Sequence, residues 1–195
     1  MSCVEEKNYT LVLASASPRR REILSAAGYG HVVRPADIDE SVFDGIKPQL
    51  MVQLLAAGKA AAAVENAGEW ILGADTVVAS EGKVLGKPAN EDDAFRMLSM
   101  LSGKTHYVYT GVALLCADDG RMRTLCEETA VTFRKLSEEE IRAYIETGEP
   151  MDKAGAYGIQ GKGGALVEKT EGDFQNVVGL PLTAVRRLMS EMNIG

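Results

Sequence analysis

Residues 11–21 read LVLASASPRRR, a short apolar strand followed at once by a proline-containing turn and three arginines. Ser17 is a favoured N-cap residue, and Pro18 would then occupy the first helical position, where the amide hydrogen that it lacks is not needed. The arginines would therefore lie in and just after the first helical turn, where the helix dipole disfavours cations. Free amides, the dipole and guanidinium groups at one point are typical of a polyphosphate site. A solvated basic turn is the other interpretation.

Strand-like and helix-like segments alternate along the rest of the chain. We predict strands at 32–33, 70–79, 83–85, 106–116, 122–133, 165–168 and 176–178. Helices are expected to begin after Ser17, at Pro48, after Asn90, after Ser137 and near Leu182. This order predicts an α/β fold with a mixed, twisted sheet, long hairpins and flanking helices. The Gly-rich stretch 148–164 is predicted to be a functional loop inside one domain spanning 1–195.

Composition and charge narrow the classes of function. The chain has 195 residues and a formal net charge of −7, so binding to nucleic acid, which needs a broad basic face, is not expected. No apolar run approaches the roughly 18 residues of a membrane span, and the N-terminus lacks the apolar core of a signal peptide. The cysteines (Cys3, Cys116 and Cys126) form no CxxC pair, which favours reduced thiols in a cytoplasmic protein over a zinc site or disulfide framework.

Asp75 is the only charge in the apolar segment 70–79. A carboxylate in such a strand is costly unless it is paired or bound to a metal ion, so Asp75 is a candidate metal ligand or general base. A strand-end aspartate that caps a turn is the structural alternative. Gly73 and Ala74 directly before it would leave room for a ligand to come close.

Other polar residues are weaker candidates when each is taken alone. Lys59 and Lys87 can bind phosphate, although a surface lysine is the more common interpretation. Glu40 ends an acidic cluster that can hold a magnesium-like ion through oxygen ligands or can simply be a solvated turn. In the Gly-rich loop, Lys153 can meet phosphate and Gln160 offers a donor and an acceptor to a base edge, with a structural turn as the alternative.

Several of these segments together resemble the Maf family of nucleoside triphosphate pyrophosphatases. The resemblance rests on SASPRR at 15–20, GADT at 73–76, GKP at 86–88, LSGKTH at 101–106, EPMDKAGAYGIQG at 149–161 and VVGLP at 177–181. It therefore spans nearly the whole chain, with its motifs in one order.

The resemblance implies an enzyme that cuts a nucleoside triphosphate between the α- and β-phosphates, giving a nucleoside monophosphate and pyrophosphate. It implies a fold similar to that of inosine triphosphate pyrophosphatases, in which a long twisted mixed sheet lies between two lobes and the site lies in the cleft. A divalent cation (Mg, Mn or Co), held by Asp75 and Glu40, is the expected cofactor. The only partner expected is the nucleotide; a homodimer stays open, because the sequence does not fix the oligomeric state.

Individual residues take roles from the same resemblance. Asp75 matches the family's catalytic residue, described as the proton acceptor. Arg19, Thr76 and Gln160 match positions associated with the branch that acts on dTTP and UTP, with modified pyrimidine nucleotides as further substrates. The remaining matches to polar or charged cleft positions are Ser15, Arg20, Glu40, Lys59, Lys87 and Lys153. Two alternatives remain: a nucleotide-binding regulator of septum formation, and a pyrophosphatase for another base, such as that of 7-methyl-GTP.

Overall fold

Seven strands and six α-helices make up most of the chain that the computed structural model describes, residues 9–39 and 45–194. The strands are β1 (Thr10–Leu13), β2 (Val32–Val33), β3 (Glu69–Ser80), β4 (Lys83–Leu85), β5 (Thr105–Cys116), β6 (Met122–Phe133) and β7 (Val167–Glu171). The helices are α1 (Pro18–Ala26), α2 (Pro48–Ala62), α3 (Glu91–Leu101), α4 (Glu138–Ile145), α5 (Phe174–Val178) and α6 (Leu182–Glu191). Three short 3-10 turns lie between α4 and β7. None of the described helices is long and apolar enough to cross a membrane.

The strands form one mixed sheet in the order β2-β1-β3-β5-β6-β7, and β4 pairs with β3 outside this path. β1 is parallel to β2 and to β3, while every other pair is antiparallel. The mixed sheet with long hairpins that the sequence predicts is therefore confirmed. Asn90 and the Ser137 capping box also begin α3 and α4 as expected.

One edge of β3 is open in its middle. β1 pairs with residues 69–72 of this edge, and β4 pairs with residues 78–80. In the described chain no strand covers residues 73–77 on this side, so the side chains and backbone of that segment border a cleft.

Two of the apolar cores among the described residues lie at opposite ends of the long strands. One core joins α1 and α6 to the first half of β3, with Leu72, Leu114 and Leu188 fully buried. The other joins α3 and α4 to the far ends of β5 and β6, around Leu98 and Phe133. The open segment of β3 lies between these cores, which agrees with the two lobes expected on either side of a cleft.

Helix α2 packs unusually close to the sheet because two glycines face it. A Cβ on Gly73 would lie 2.1 Å from the carbonyl oxygen of Ala56, and a Cβ on Gly111 would lie 2.1 Å from that of Val52. Gly73 therefore makes room for a helix backbone and not for a ligand, which corrects the sequence interpretation.

The strand predicted at 176–178 is wrong, because this segment belongs to α5. The Asp173 side chain accepts a hydrogen bond from the Gln175 amide and caps the helix, and Gly179 ends it. Asn176 is fully buried and donates from its side chain to the carbonyl oxygen of Val108. This tertiary contact and the cap outweigh the strand preference of the two valines.

Candidate active site

The cleft at the open edge of β3 has a volume of about 980 Å³. Nine of the residues that the sequence analysis selected line it: Ser15, Arg19, Arg20, Lys59, Asp75, Thr76, Lys87, Lys153 and Gln160. The fold thus brings together side chains from both lobes. The tenth candidate, Glu40, lies outside the described residues.

Asp75 and Lys59 form an ion pair in the wall of this cleft. Lys59 Nζ lies 2.6 Å from Asp75 Oδ1, and the two side chains are only 14% and 11% exposed. Asp75 lies in the middle of β3, so it is not a strand-end cap, and Lys59 is not a surface lysine. The close approach of α2 that Gly73 allows brings the lysine to the carboxylate. The pair fixes the orientation of a carboxylate that can accept a proton or bind a cation.

The N-terminus of α1 forms as the sequence predicts. Ser17 is the N-cap and its hydroxyl accepts from the Arg20 amide, while Pro18 begins the helix. The Ser15 hydroxyl accepts from the Ser17 amide at 3.2 Å. The backbone amides of Ser17 and Arg20 therefore already donate hydrogen bonds within the protein.

The Arg20 guanidinium forms hydrogen bonds to protein atoms, which its prediction as a phosphate-binding residue does not include. Its guanidinium donates to the carbonyl oxygens of Gly179 and Ala74, at 2.8 and 2.9 Å. It also donates to the Ser15 and Thr76 hydroxyls, each at 3.1 Å. Arg20 thus ties α1 to β3 and to the end of α5, and these contacts position the side chains around it.

Arg19 and Lys87 are better placed to receive an anion. Both line the cleft, and neither forms an ion pair with another residue of the described chain. Lys153 is less available, because its Nζ lies 2.6 Å from Asp152 Oδ1 and 3.1 Å from the Glu149 carbonyl oxygen.

Glu149 organises the Gly-rich loop, a role that the sequence analysis missed. Its carboxylate accepts hydrogen bonds from the amides of Lys162 and Gly163 and from the Tyr144 hydroxyl. Burial raises the pKa of Glu149, but these donors outweigh it, so the pKa lies below its usual range. No local sequence pattern indicates these contacts, because the two amides lie 13 and 14 residues further along the chain.

The donor set fits a cation that binds together with a nucleotide. Among the described residues, no group of three or more His, Cys, Asp or Glu side chains could hold a metal ion. Magnesium, however, is commonly bound through one or two carboxylates plus the phosphates of the substrate. Asp75 supplies such a carboxylate at the cleft wall.

The Maf-like protein family model matches residues 10–192. This chain belongs to the Maf family. The dTTP/UTP pyrophosphatase of Moorella thermoacetica is 53% identical to it over 181 residues, which cover 92% of this chain and 93% of that protein. The dTTP/UTP pyrophosphatases of Bacillus thuringiensis and Bacillus cereus are 48% identical over 185 residues, covering 94% of this chain and 96% of theirs.

Among solved structures, a nucleoside-triphosphatase / dITP/XTP pyrophosphatase from Mycobacterium abscessus overlaps this Maf protein with a TM-score of 0.43 and 14% identity. The overlap covers 71% of this chain and 95% of the other. The family membership confirms the resemblance seen in the motifs, while the roles of individual side chains stay predictions.

Proposed function

We propose that this Maf protein hydrolyses dTTP and UTP between the α- and β-phosphates, releasing pyrophosphate and the nucleoside monophosphate. The observation that carries the proposal is the single cleft in which the Asp75–Lys59 pair, Arg19, Lys87 and Gln160 meet. Relatives at 48–53% identity that are named dTTP/UTP pyrophosphatases support this choice of substrates.

In the proposed reaction, Arg19 and Lys87 bind the phosphates and offset the charge that develops on the leaving pyrophosphate. Asp75 accepts a proton from the attacking water, whose oxygen bonds to the α-phosphorus as the bond from that phosphorus to the bridging oxygen breaks. Lys59 keeps the carboxylate oriented towards the cleft. Glu149 holds the loop that carries Gln160 at the other wall, where Gln160 can hydrogen-bond to the base.

Asp75, together with Glu40 and the nucleotide phosphates, would hold a divalent cation (Mg, Mn or Co), which supplies positive charge and orients the α-phosphate when bound. Removing divalent ions with a chelator should therefore abolish turnover. Adding each of the three ions back separately identifies the preferred one.

The test is a nucleotide panel of dTTP, UTP, CTP, GTP and 7-methyl-GTP, with pyrophosphate and orthophosphate measured separately. We expect equal amounts of pyrophosphate and nucleoside monophosphate, and the highest kcat/KM for dTTP and UTP. Orthophosphate as the sole product, or equal rates on every base, would contradict the proposal.

A further inference from the structure

A chain of hydrogen bonds runs from the cleft into the core behind Thr76. Thr110 on β5 lies directly opposite Thr76 in the sheet, and their hydroxyl oxygens are 2.9 Å apart. Thr110 is fully buried, with its hydroxyl 3.0 Å from the carbonyl oxygen of Asn176. On the cleft side, Arg20 Nη2 lies 3.1 Å from the Thr76 hydroxyl. A continuous chain of hydrogen bonds therefore connects four elements: α1 through Arg20, β3 through Thr76, β5 through Thr110 and α5 through Asn176.

The two ends of this line fix the direction of every hydrogen bond in it. A guanidinium can only donate and a carbonyl oxygen can only accept. The single hydroxyl hydrogen of Thr110 therefore goes to Asn176, and the hydrogen between the two threonines belongs to Thr76. Thr76 accepts from Arg20 and donates to Thr110. It keeps one lone pair, and no hydrogen, for a ligand in the cleft.

Apolar side chains that can pack against a nucleobase lie on the same face of β3 as Thr76. Successive side chains of a strand point to opposite faces, so Thr76 and Asp75 lie on different faces of β3. Asp75 faces Lys59 on α2, whereas the cleft walls on the other face include three neutral, mostly apolar side chains: Val108, Tyr157 and Val178. Apolar walls with a few placed polar groups are typical of a site for a flat organic ring.

We propose that Thr110 is a positioning residue for base choice, which holds the Thr76 hydroxyl as an acceptor for the N3–H of uracil or thymine. Cytosine carries a lone pair at N3, so it would face the lone pair of Thr76 with no hydrogen between them. This inference rests on the proposed function and adds a cause for the preference for UTP over CTP. Loss of Thr110 would free the Thr76 hydrogen to turn towards the cleft and donate to cytosine.

The test compares Thr110→Val with Thr129→Val. Thr129 is equally buried, bonds to the Asp173 carbonyl oxygen and to the Asn176 side chain, and has no hydrogen bond to Thr76. Each change removes one buried hydroxyl from the same region. We expect the ratio of kcat/KM for UTP over CTP to fall about tenfold or more in Thr110→Val, the worth of one hydrogen bond. Thr129→Val and Thr110→Ser should keep the parent ratio.

An unchanged ratio in Thr110→Val, or an equal fall in Thr129→Val, would overturn this inference while leaving the pyrophosphatase assignment intact. A parent protein that releases no pyrophosphate from UTP would instead overturn the proposed function itself. Should Thr110→Val not fold, the parent can be assayed with N3-methyl-UTP, which has no hydrogen at N3. We expect its kcat/KM to be at least tenfold below that of UTP, and equal values would refute the acceptor role of Thr76.

Discussion

Replacing Asp75 by asparagine separates its chemical role from its structural one. The amide has nearly the same size, and its oxygen can still accept from Lys59 Nζ, which lies 2.6 Å from Asp75 Oδ1, so we expect the fold to be retained. It cannot take up the proton of the attacking water. Loss of a general base typically lowers the rate about 10²–10⁴-fold. At about 1.36 kcal/mol per tenfold change, the activation barrier should rise by about 2.7–5.4 kcal/mol.

Glu69 offers a matched control, because it is a second buried carboxylate on the same strand. It accepts from both Nη atoms of Arg34, at 2.8 Å each, and it does not line the cleft. The Arg34 guanidinium holds the pKa of Glu69 far below its usual range. Glu69→Gln should therefore lower the melting temperature by several degrees, since a buried ion pair loses one charge. Its kcat/KM should stay that of the parent.

The assay is release of pyrophosphate under single-turnover conditions, measured beside thermal unfolding for the parent and both variants. Both variants should be less stable than the parent, because each removes one charge from a buried ion pair, so the rate is what separates them: Asp75→Asn should be slow and Glu69→Gln fully active. Asp75→Asn activity within a few-fold of the parent would show that the carboxylate only supports the fold. An equal rate loss in Glu69→Gln would show that removal of any buried charge from β3 is enough to slow turnover.

Three further outcomes are expected. Gln160→Ala should lower the kcat/KM ratio of UTP over CTP more than it lowers kcat, and an unchanged ratio would exclude contact with the base. Gly73→Ala should lower both melting temperature and kcat, because its Cβ would meet the Ala56 carbonyl oxygen, whereas Gly30→Ala, which has open space, should change neither. Burial lowers the pKa of His106 from 6.5 to about 4, so the unfolded chain takes up this proton first. The free energy of unfolding should therefore fall by about 3 kcal/mol as the pH drops from about 6.5 to about 4. Urea unfolding of His106→Gln should show no such fall over that pH range.

The parts of the fold that local signals specify could be predicted from the sequence. The alternation and length of the apolar segments place β3, β5 and β6 almost to the residue, since long strands carry strong patterns. The caps at Asn90 and Ser137 likewise begin α3 and α4, because a cap is read from a few adjacent residues. Helix α5 was missed, because Asp173 and the buried Asn176 override the propensity of a two-valine segment.

The cleft shows the other limit of sequence reasoning. The motifs identify which residues lie together, but they do not indicate how each side chain is used. Arg20 donates a hydrogen bond to the carbonyl oxygen of Gly179, which is 159 positions away in the sequence. The Glu149 carboxylate accepts from two backbone amides that lie 13 and 14 residues further along the chain. The sequence alone favours Gly73 as a position where a ligand comes close, whereas in the structure the backbone of α2 occupies that space. Each of these depends on long-range packing, which residue type and spacing do not encode.

Two adjacent residues in the open segment of β3, Asp75 and Thr76, have different proposed roles. Asp75 points towards α2 and Lys59, while Thr76 points towards Arg20 and Thr110. A change on the α2 face should therefore lower kcat by the same factor for every base, because the α-phosphate chemistry is common to all nucleotides. A change at Thr76 or Thr110 should instead alter the ratios between bases. Since the two proposed roles belong to adjacent residues of one strand, the proposal implies that base choice can change without moving the Asp75 carboxylate.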